Sequence, residues 1–266
     1  MSKILIRNGR VIDPANGVDR VADLLIVDGK IVGLDVPPAG DEETIDATGR
    51  IVAPGLIDMH VHLREPGGED DETIATGTAA ALAGGFTSIA CVPNTHPPID
   101  TQGTVEFVRS KAAAADNCNV FVIGCVSHNR EGKELAEIGQ LVEAGAVAVS
   151  DDGSPVSDPE LMRRALEYCL MFDKPVLSHA EIPELTARGV MHDGLTALIL
   201  GLGGIPPAAA PSAWPATRSL RRLRWGSPPR THPFSIANQA RSCTLPEHRR
   251  SAGFIQVGID GRFASW

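Results

Sequence analysis

The chain of 266 residues has no apolar run long enough to cross a membrane, no Cys-x-x-Cys pair, no excess of positive charge and no glycine-rich phosphate loop. Each absence removes a class of function. Without a span-length apolar stretch, no membrane-crossing helix is expected. The five cysteines (Cys91, Cys118, Cys125, Cys169 and Cys243) are scattered, and four lie in or beside apolar segments. Buried reduced thiols are therefore expected, not a disulfide framework. A formal net charge of −9 argues against a general nucleic-acid binder. Gly84-Gly85 stands without a Gly-x-Gly-x-x-Gly or Lys-Ser pattern, so it ends a helix and cradles no phosphate. Met1-Ser2-Lys3 leads directly into a β-like run, so no leader peptide is expected. The expectation is a cytoplasmic protein acting on a small molecule, with no nucleic-acid and no membrane partner.

Charge is unevenly spread. Residues 206–266 hold nine arginines, no lysine, and only Glu247 and Asp260 as acids, a net +7 that leaves −16 for residues 1–205. All three tryptophans and eight of the 20 prolines fall in that tail, and no helical or strand period is sustained across Ser219–Arg230. A basic tail for an acidic partner is one reading. Out-of-frame translation of a GC-rich gene is the other, and composition favours it; on that view the tail packs poorly.

Three regions are expected. Residues 1–53 read as a small β domain, with strands at Ile4–Ile6, Val11–Asp13, Thr44–Ala47 and Ile51–Ala53 and a hairpin turning at Asp28-Gly29. Residues 54–205 alternate strand and helix about every thirty residues, the rhythm of βαβ units on a parallel sheet. The spacing predicts strands over 56–62, 86–92, 119–126, 146–150 and 175–179, and helices over 71–83, 101–115, 133–144 and 158–172. The fold class is α/β, a partial (β/α)8 barrel of five units, followed by the aberrant tail 206–266.

The stretch Leu56-Ile57-Asp58-Met59-His60-Val61-His62-Leu63-Arg64-Glu65-Pro66 is the most informative. Side chains alternate along a strand, so His60 and His62 share a side and can hold one divalent metal. Arg64 continues the series and offers a fork for a carboxylate. Two surface histidines in a loop is the bland alternative. Asp151-Asp152 and His179 also end apolar runs, where parallel sheets place their active sites, and this weighs against it. One of the two aspartates is expected to be structural. Asn94 follows a strand end, where it orients a polar substrate or simply turns the chain. His96 and His192 read as loop residues, and Glu65 has no assignable role.

With these residues in view, Pro54-Gly55-Leu56-Ile57-Asp58-Met59-His60-Val61-His62-Leu63-Arg64-Glu65-Pro66-Gly67 resembles the signature of the dihydroorotases of the amidohydrolase superfamily. Val92-Pro93-Asn94-Thr95, Ser150-Asp151-Asp152-Gly153, Leu177-Ser178-His179-Ala180-Glu181 and Gly189-Val190-Met191-His192 reinforce the likeness, which covers about residues 1–205. It implies a (β/α)8 barrel with a small β domain and one or two Zn²⁺ ions. It implies that His60 and His62 bind one metal, Asp152 bridges, His179 binds the second, and Arg64 and Asn94 hold the substrate carboxylate. The implied reaction interconverts dihydroorotate and N-carbamoyl-L-aspartate in pyrimidine synthesis. The implied partners are a second copy or aspartate transcarbamoylase. Family members are longer and carry a metal His on the sixth strand, a substrate Asn on the seventh and a proton-shuttling Asp on the eighth. The last two have no recognisable counterpart, so no catalytic base is assigned. His232, flanked by Pro228-Pro229 and Pro233, is not assigned either. The alternatives are a hydantoinase or allantoinase, disfavoured because Asp152 stands where those relatives typically place a carboxylated lysine, and a non-catalytic structural homologue, disfavoured because the metal histidines are kept.

Overall fold

The computed structural model describes residues 2–186 and 188–209, together with the backbone of 254–257 and 263–265. Most of 206–266, His232 included, lies outside the described residues, and the expected poor packing of that stretch lies there with it.

The chain opens with β1 (Lys3–Asp13), β2 (Val18–Val27), β3 (Lys30–Leu34), β4 (Glu43–Asp46) and β5 (Ile51–Pro54). The two short strands expected at 4–6 and 11–13 are one strand with a register shift between Ile6 and Gly9. Asn8 takes the left-handed conformation there (φ 60°), and a Cβ on Gly9 would sit 2.5 Å from Val52 Cγ2. Glycine thus lets β5 pack close across the bulge. Asp28 and Gly29 both have positive φ, as the tight β2–β3 hairpin requires. β4 and β5 pair with β1 in parallel. Ile6, Val11, Leu24, Ile26, Ala47 and Val52 form the core of this sheet.

From Leu56 the architecture changes to strand–helix alternation. β6 (Leu56–Val61), α1 (Ile74–Ala83), β7 (Phe86–Cys91), α2 (Gln102–Ala115), β8 (Asn119–Gly124), α3 (Ile138–Glu143), β9 (Ala148–Ser150), α4 (Pro159–Met171) and β10 (Val176–Leu177) follow in turn. The five strands pair in parallel in chain order, β6-β7-β8-β9-β10. Sequential parallel strands with a helix in each connection are the opening units of a (β/α)8 barrel. The helix starts are written locally. Thr73 and Thr101 cap α1 and α2, each in a reciprocal box with a threonine three residues on, and Asp158 with Pro159 starts α4. Ile89, Cys91, Val105, Val108, Val122 and Leu141 lie in one continuous core, and Val149, Leu161, Met162, Ala165 and Cys169 extend the packing under α4.

The helix expected over 133–144 is shortened to Ile138–Glu143. Residues before it are drawn into a loop by a bridge between Ser127 and Leu135 and a 3-10 turn at His128–Arg130. Beyond β10 come α5 (Pro183–Thr186), β11 (Met191–His192), α6 (Leu195–Leu200) and β12 (Gly204–Ile205), with β11 and β12 paired in parallel. The described pieces of the tail are a short stretch ending in a 3-10 turn at Pro207–Ala209, β13 (Phe254–Val257), parallel to β5, and β14 (Phe263–Ser265), antiparallel to β13; the two strands extend the first sheet.

Candidate metal centre

Parallel strands bring their C-terminal ends to one edge, and the expected ligands collect there. His60 lies in β6, and His62 one residue past its end; their rings lie 5.3 Å apart, on one side as the alternation requires. Asp152 follows β9 by two residues and presents its carboxylate to both: His60 Nε2 is 3.4 Å from Oδ1 and His62 Nε2 3.8 Å from Oδ2. Two residues beyond β10, His179 places Nδ1 3.3 Å from the same Oδ1. Two strands, β6 and β10, thus deliver three imidazoles to one carboxylate at the end of a third, β9. Candidate ligand atoms of His60, His62 and Asp152 all lie within 4.8 Å of one another.

The outer ring nitrogens of His62 and His179 are also held. His62 Nδ1 lies 2.9 Å from Oδ1 of Asn94, three residues past β7. That contact requires Nδ1 to carry the proton and leaves a lone pair on Nε2 facing Asp152. His179 is oriented by the opposite nitrogen: Nε2 is 2.9 Å from Glu181 Oε2, so Nε2–H donates and the neutral ring keeps its lone pair on Nδ1. Glu181 is fixed in turn by the Thr186 hydroxyl at 2.6 Å. Thr186 first, then His179, hold its carboxyl below the usual glutamate range. Imidazole lone pairs aimed at a carboxylate, with the far N–H groups tied down, are the donor set of a divalent transition metal and its supporting contacts. The centre opens to solvent on the β6 side: the His60 side chain is 54% exposed, that of Asp152 10%.

The neighbouring carboxylate has another task. Asp151 is buried and accepts from the backbone N–H of Val126 (2.8 Å) and Ser127 (3.1 Å) and from the Ser127 hydroxyl. Burial pushes its pKa up, against the pull of those donors. It ties the segment after β8 to the end of β9, and Arg130 does likewise by donating to the Asp152 carbonyl and, at 3.2 Å, to Ser154 Oγ. These contacts aim the Asp152 side chain at the histidines. Asp151 is therefore the structural member of the pair.

Arg64 does not continue the strand alternation. Its backbone turns into the left-handed region (φ 59°), and its side chain is exposed. Glu65 gains a role that the linear sequence hides. Its buried carboxylate accepts from the Ile74 N–H at the start of α1 (2.9 Å) and pairs with Lys111 of α2 (2.8 Å). Asp58 accepts from the His60 N–H at 3.0 Å. His96 is exposed in its loop, and His192 stands exposed on β11.

The chain matches the family model for dihydro-orotase-like proteins over residues 49–213. It is 53% identical to the dihydroorotase of Syntrophotalea carbinolica over 213 residues, which are 79% of this chain and 50% of that protein. It is 55% identical to the dihydroorotase of Solibacter usitatus over 214 residues, 77% of this chain and 48% of that one. The chain thus spans about half the length of the curated relatives it matches. Among solved structures, the L-hydantoinase from Arthrobacter aurescens has a similar fold (TM-score 0.60, 23% identity, 70% of this chain and 42% of that one). A D-hydantoinase from Thermus sp. aligns with a TM-score of 0.52 at 27% identity, over 74% of this chain and 43% of its own.

Proposed function

Because the chain belongs to the dihydro-orotase-like family, we propose that it carries the metal- and acid-binding part of a cytoplasmic dihydroorotase, which interconverts dihydroorotate and N-carbamoyl-L-aspartate in pyrimidine synthesis. In this reading residues 1–53 are a small β domain and 54–205 the first five units of the hydrolase barrel. The supporting observation is the meeting of His60, His62 and His179 on the carboxylate of Asp152.

His60 and His62 would hold one Zn²⁺, Asp152 would serve as the shared ligand, and His179 would hold a second ion where two are bound. The chemistry zinc would supply there is polarisation of the amide carbonyl and a lowered pKa, towards about 7, for water at the site. The protein's own groups do the rest. Asn94 uses its Oδ1 on His62, which leaves its two amide N–H donors for the substrate acid. Exposed Arg64 supplies a charged fork for the same acid. An anchored carboxylate aligns the ring so that its amide carbonyl faces the metal centre, lowering the entropic part of the barrier. In this reading a carboxylate of the chain itself, Asp152, and not a modified lysine, would take the bridging position. The likeness to dihydroorotases is also about twice that to the D-hydantoinase, 53% against 27% identity.

The test is a chimera in which residues 1–205 replace the matching portion of the Syntrophotalea carbinolica relative. It should hydrolyse dihydroorotate only with zinc, and Arg64→Ala should raise KM. A chimera that binds zinc but turns over hydantoins and not dihydroorotate would favour the hydantoinase reading, and one that binds no zinc would overturn both. The chain by itself, with no assigned general base, is expected to show negligible turnover.

A further inference from the structure

The three histidines at Asp152 are supported unequally. His62 leans on a neutral amide oxygen, and His179 leans on a carboxylate that is itself pinned by a hydroxyl. The line Asp152–His179–Glu181–Thr186 runs through three side-chain contacts of 3.3, 2.9 and 2.6 Å. It is also built on short chain segments. Glu181 N–H donates to the His179 carbonyl at 3.0 Å, and Thr186 N–H donates to the Ile182 carbonyl at 3.2 Å, so the turn after β10 and helix α5 hold both ends.

We propose that Glu181, held by Thr186, is a positioning residue that fixes the His179 ring with Nδ1 towards the metal centre and strengthens it as a ligand. This rests on the metal-binding reading above and extends it to a residue that does not touch the metal. Two effects separate physically. The carboxylate locks the tautomer and ring angle by accepting the Nε2–H. Its negative charge also pushes electron density into the imidazole, which an amide acceptor such as Asn94 does far less. Glu181→Gln keeps the acceptor shape and removes the charge. Glu181→Ala removes both. Thr186→Val leaves the charge but frees the carboxylate to rotate.

The experiment is zinc titration of the full chain against a chelator of known affinity, with the visible absorption of the cobalt-loaded protein as a second readout. Glu181→Ala should weaken zinc binding about 10- to 100-fold, Glu181→Gln about 10-fold, and Thr186→Val less. The cobalt bands should shift in both Glu181 variants, while the metal-free melting temperature of Glu181→Gln stays at the wild-type value. A merely structural role would lower that melting temperature and leave the cobalt spectrum of the folded fraction unchanged. If all three variants bind zinc within about twofold of wild type with unchanged cobalt spectra, the inference fails and the metal centre stands. If wild type binds no zinc, the metal reading itself is wrong and this inference falls with it. Should Glu181→Ala not fold, Glu181→Gln and Thr186→Val carry the test.

Discussion

Helices α4 and α6 are both rich in large apolar residues, yet they meet opposite fates. α4 buries Leu161, Met162, Ala165 and Cys169, whereas α6, reading Leu-Thr-Ala-Leu-Ile-Leu, buries Ala197 alone. Leu195, Leu198, Ile199 and Leu200 are 59–79% exposed, and Leu56, Ile57 and Met59 of the edge strand β6 are exposed as well. The difference lies in neighbours. α4 connects two strands of the parallel sheet and packs on them, while α6 follows the last of those strands and, among the described residues, only its Ala197 is covered. An apolar face states that a helix needs burial. It does not state which part of a chain supplies it.

Substitutions can break or sharpen that contrast. The largest effect is expected from Leu141→Ala. Leu141 is fully buried at 0% exposure, and the loss should be about 2–5 kcal/mol by urea unfolding. Next comes Glu65→Gln, which weakens the contact to Ile74 N–H and uncouples Lys111 across α1 and α2, with a loss of about 1–3 kcal/mol. Its pH signature is defined. Burial pushes the Glu65 pKa up, but Lys111 and the Ile74 N–H together carry it below the usual glutamate value. The stabilisation is therefore present above the unfolded-state pKa and is lost as pH falls through the lower folded value. Melting temperature measured from pH 7 down into the acid range should fall less steeply in Glu65→Gln than in wild type.

Leu198→Ala should leave stability within about 0.5 kcal/mol, because Leu198 is 79% exposed. Leu198→Lys should instead reduce self-association, read as a smaller apparent mass on size exclusion. A cost for Leu198→Ala as large as that for Leu141→Ala would erase the contrast between the covered and uncovered helices. The smallest effect belongs to Glu160, whose exposed carboxyl is drawn down to about 2 by Arg163 and then Arg164. Whatever it contributes is present above its unfolded value of 4.5 and fades as pH falls towards about 2. The difference in melting temperature between wild type and Glu160→Gln should be slight and should vanish in high salt.

Where chemistry repeats at a fixed spacing, the sequence was readable. The hairpin at Asp28-Gly29, the helix starts at Asp158-Pro159 and near Thr101, the five parallel strands and the gathering of His60, His62, His179 and one of the Asp151-Asp152 pair all follow from local pattern and strand-end position; the choice of Asp152 is what the resemblance implies. Asp151 and Asp152 were distinguishable only as one structural and one ligating residue, because the donors that claim Asp151 come from Val126 and Ser127, on another strand end. Glu65 was opaque for the same reason: its partners Ile74 and Lys111 lie far along the chain. Glu181 stands in a motif of the resemblance but carries no role there, because its contact to His179 spans two residues of irregular backbone, where no period signals a shared face. Residues 133–137 were misread as helix because helical propensity there is overruled by the bridge from Ser127 to Leu135. Arg64 was placed in strand phase, but the chain turns at that residue.

The central claim is that residues from separate strand ends form one divalent-metal centre around Asp152. Zinc content of the dialysed full chain, measured by elemental mass spectrometry beside Asp152→Asn and a folded-state check by circular dichroism, tests it most directly. The account expects one or two zinc ions per wild-type chain and an affinity at least about 100-fold weaker in the variant, beyond the range of supporting-residue changes. A folded wild-type chain that retains no zinc, or an Asp152→Asn chain that binds it as tightly, would contradict the account.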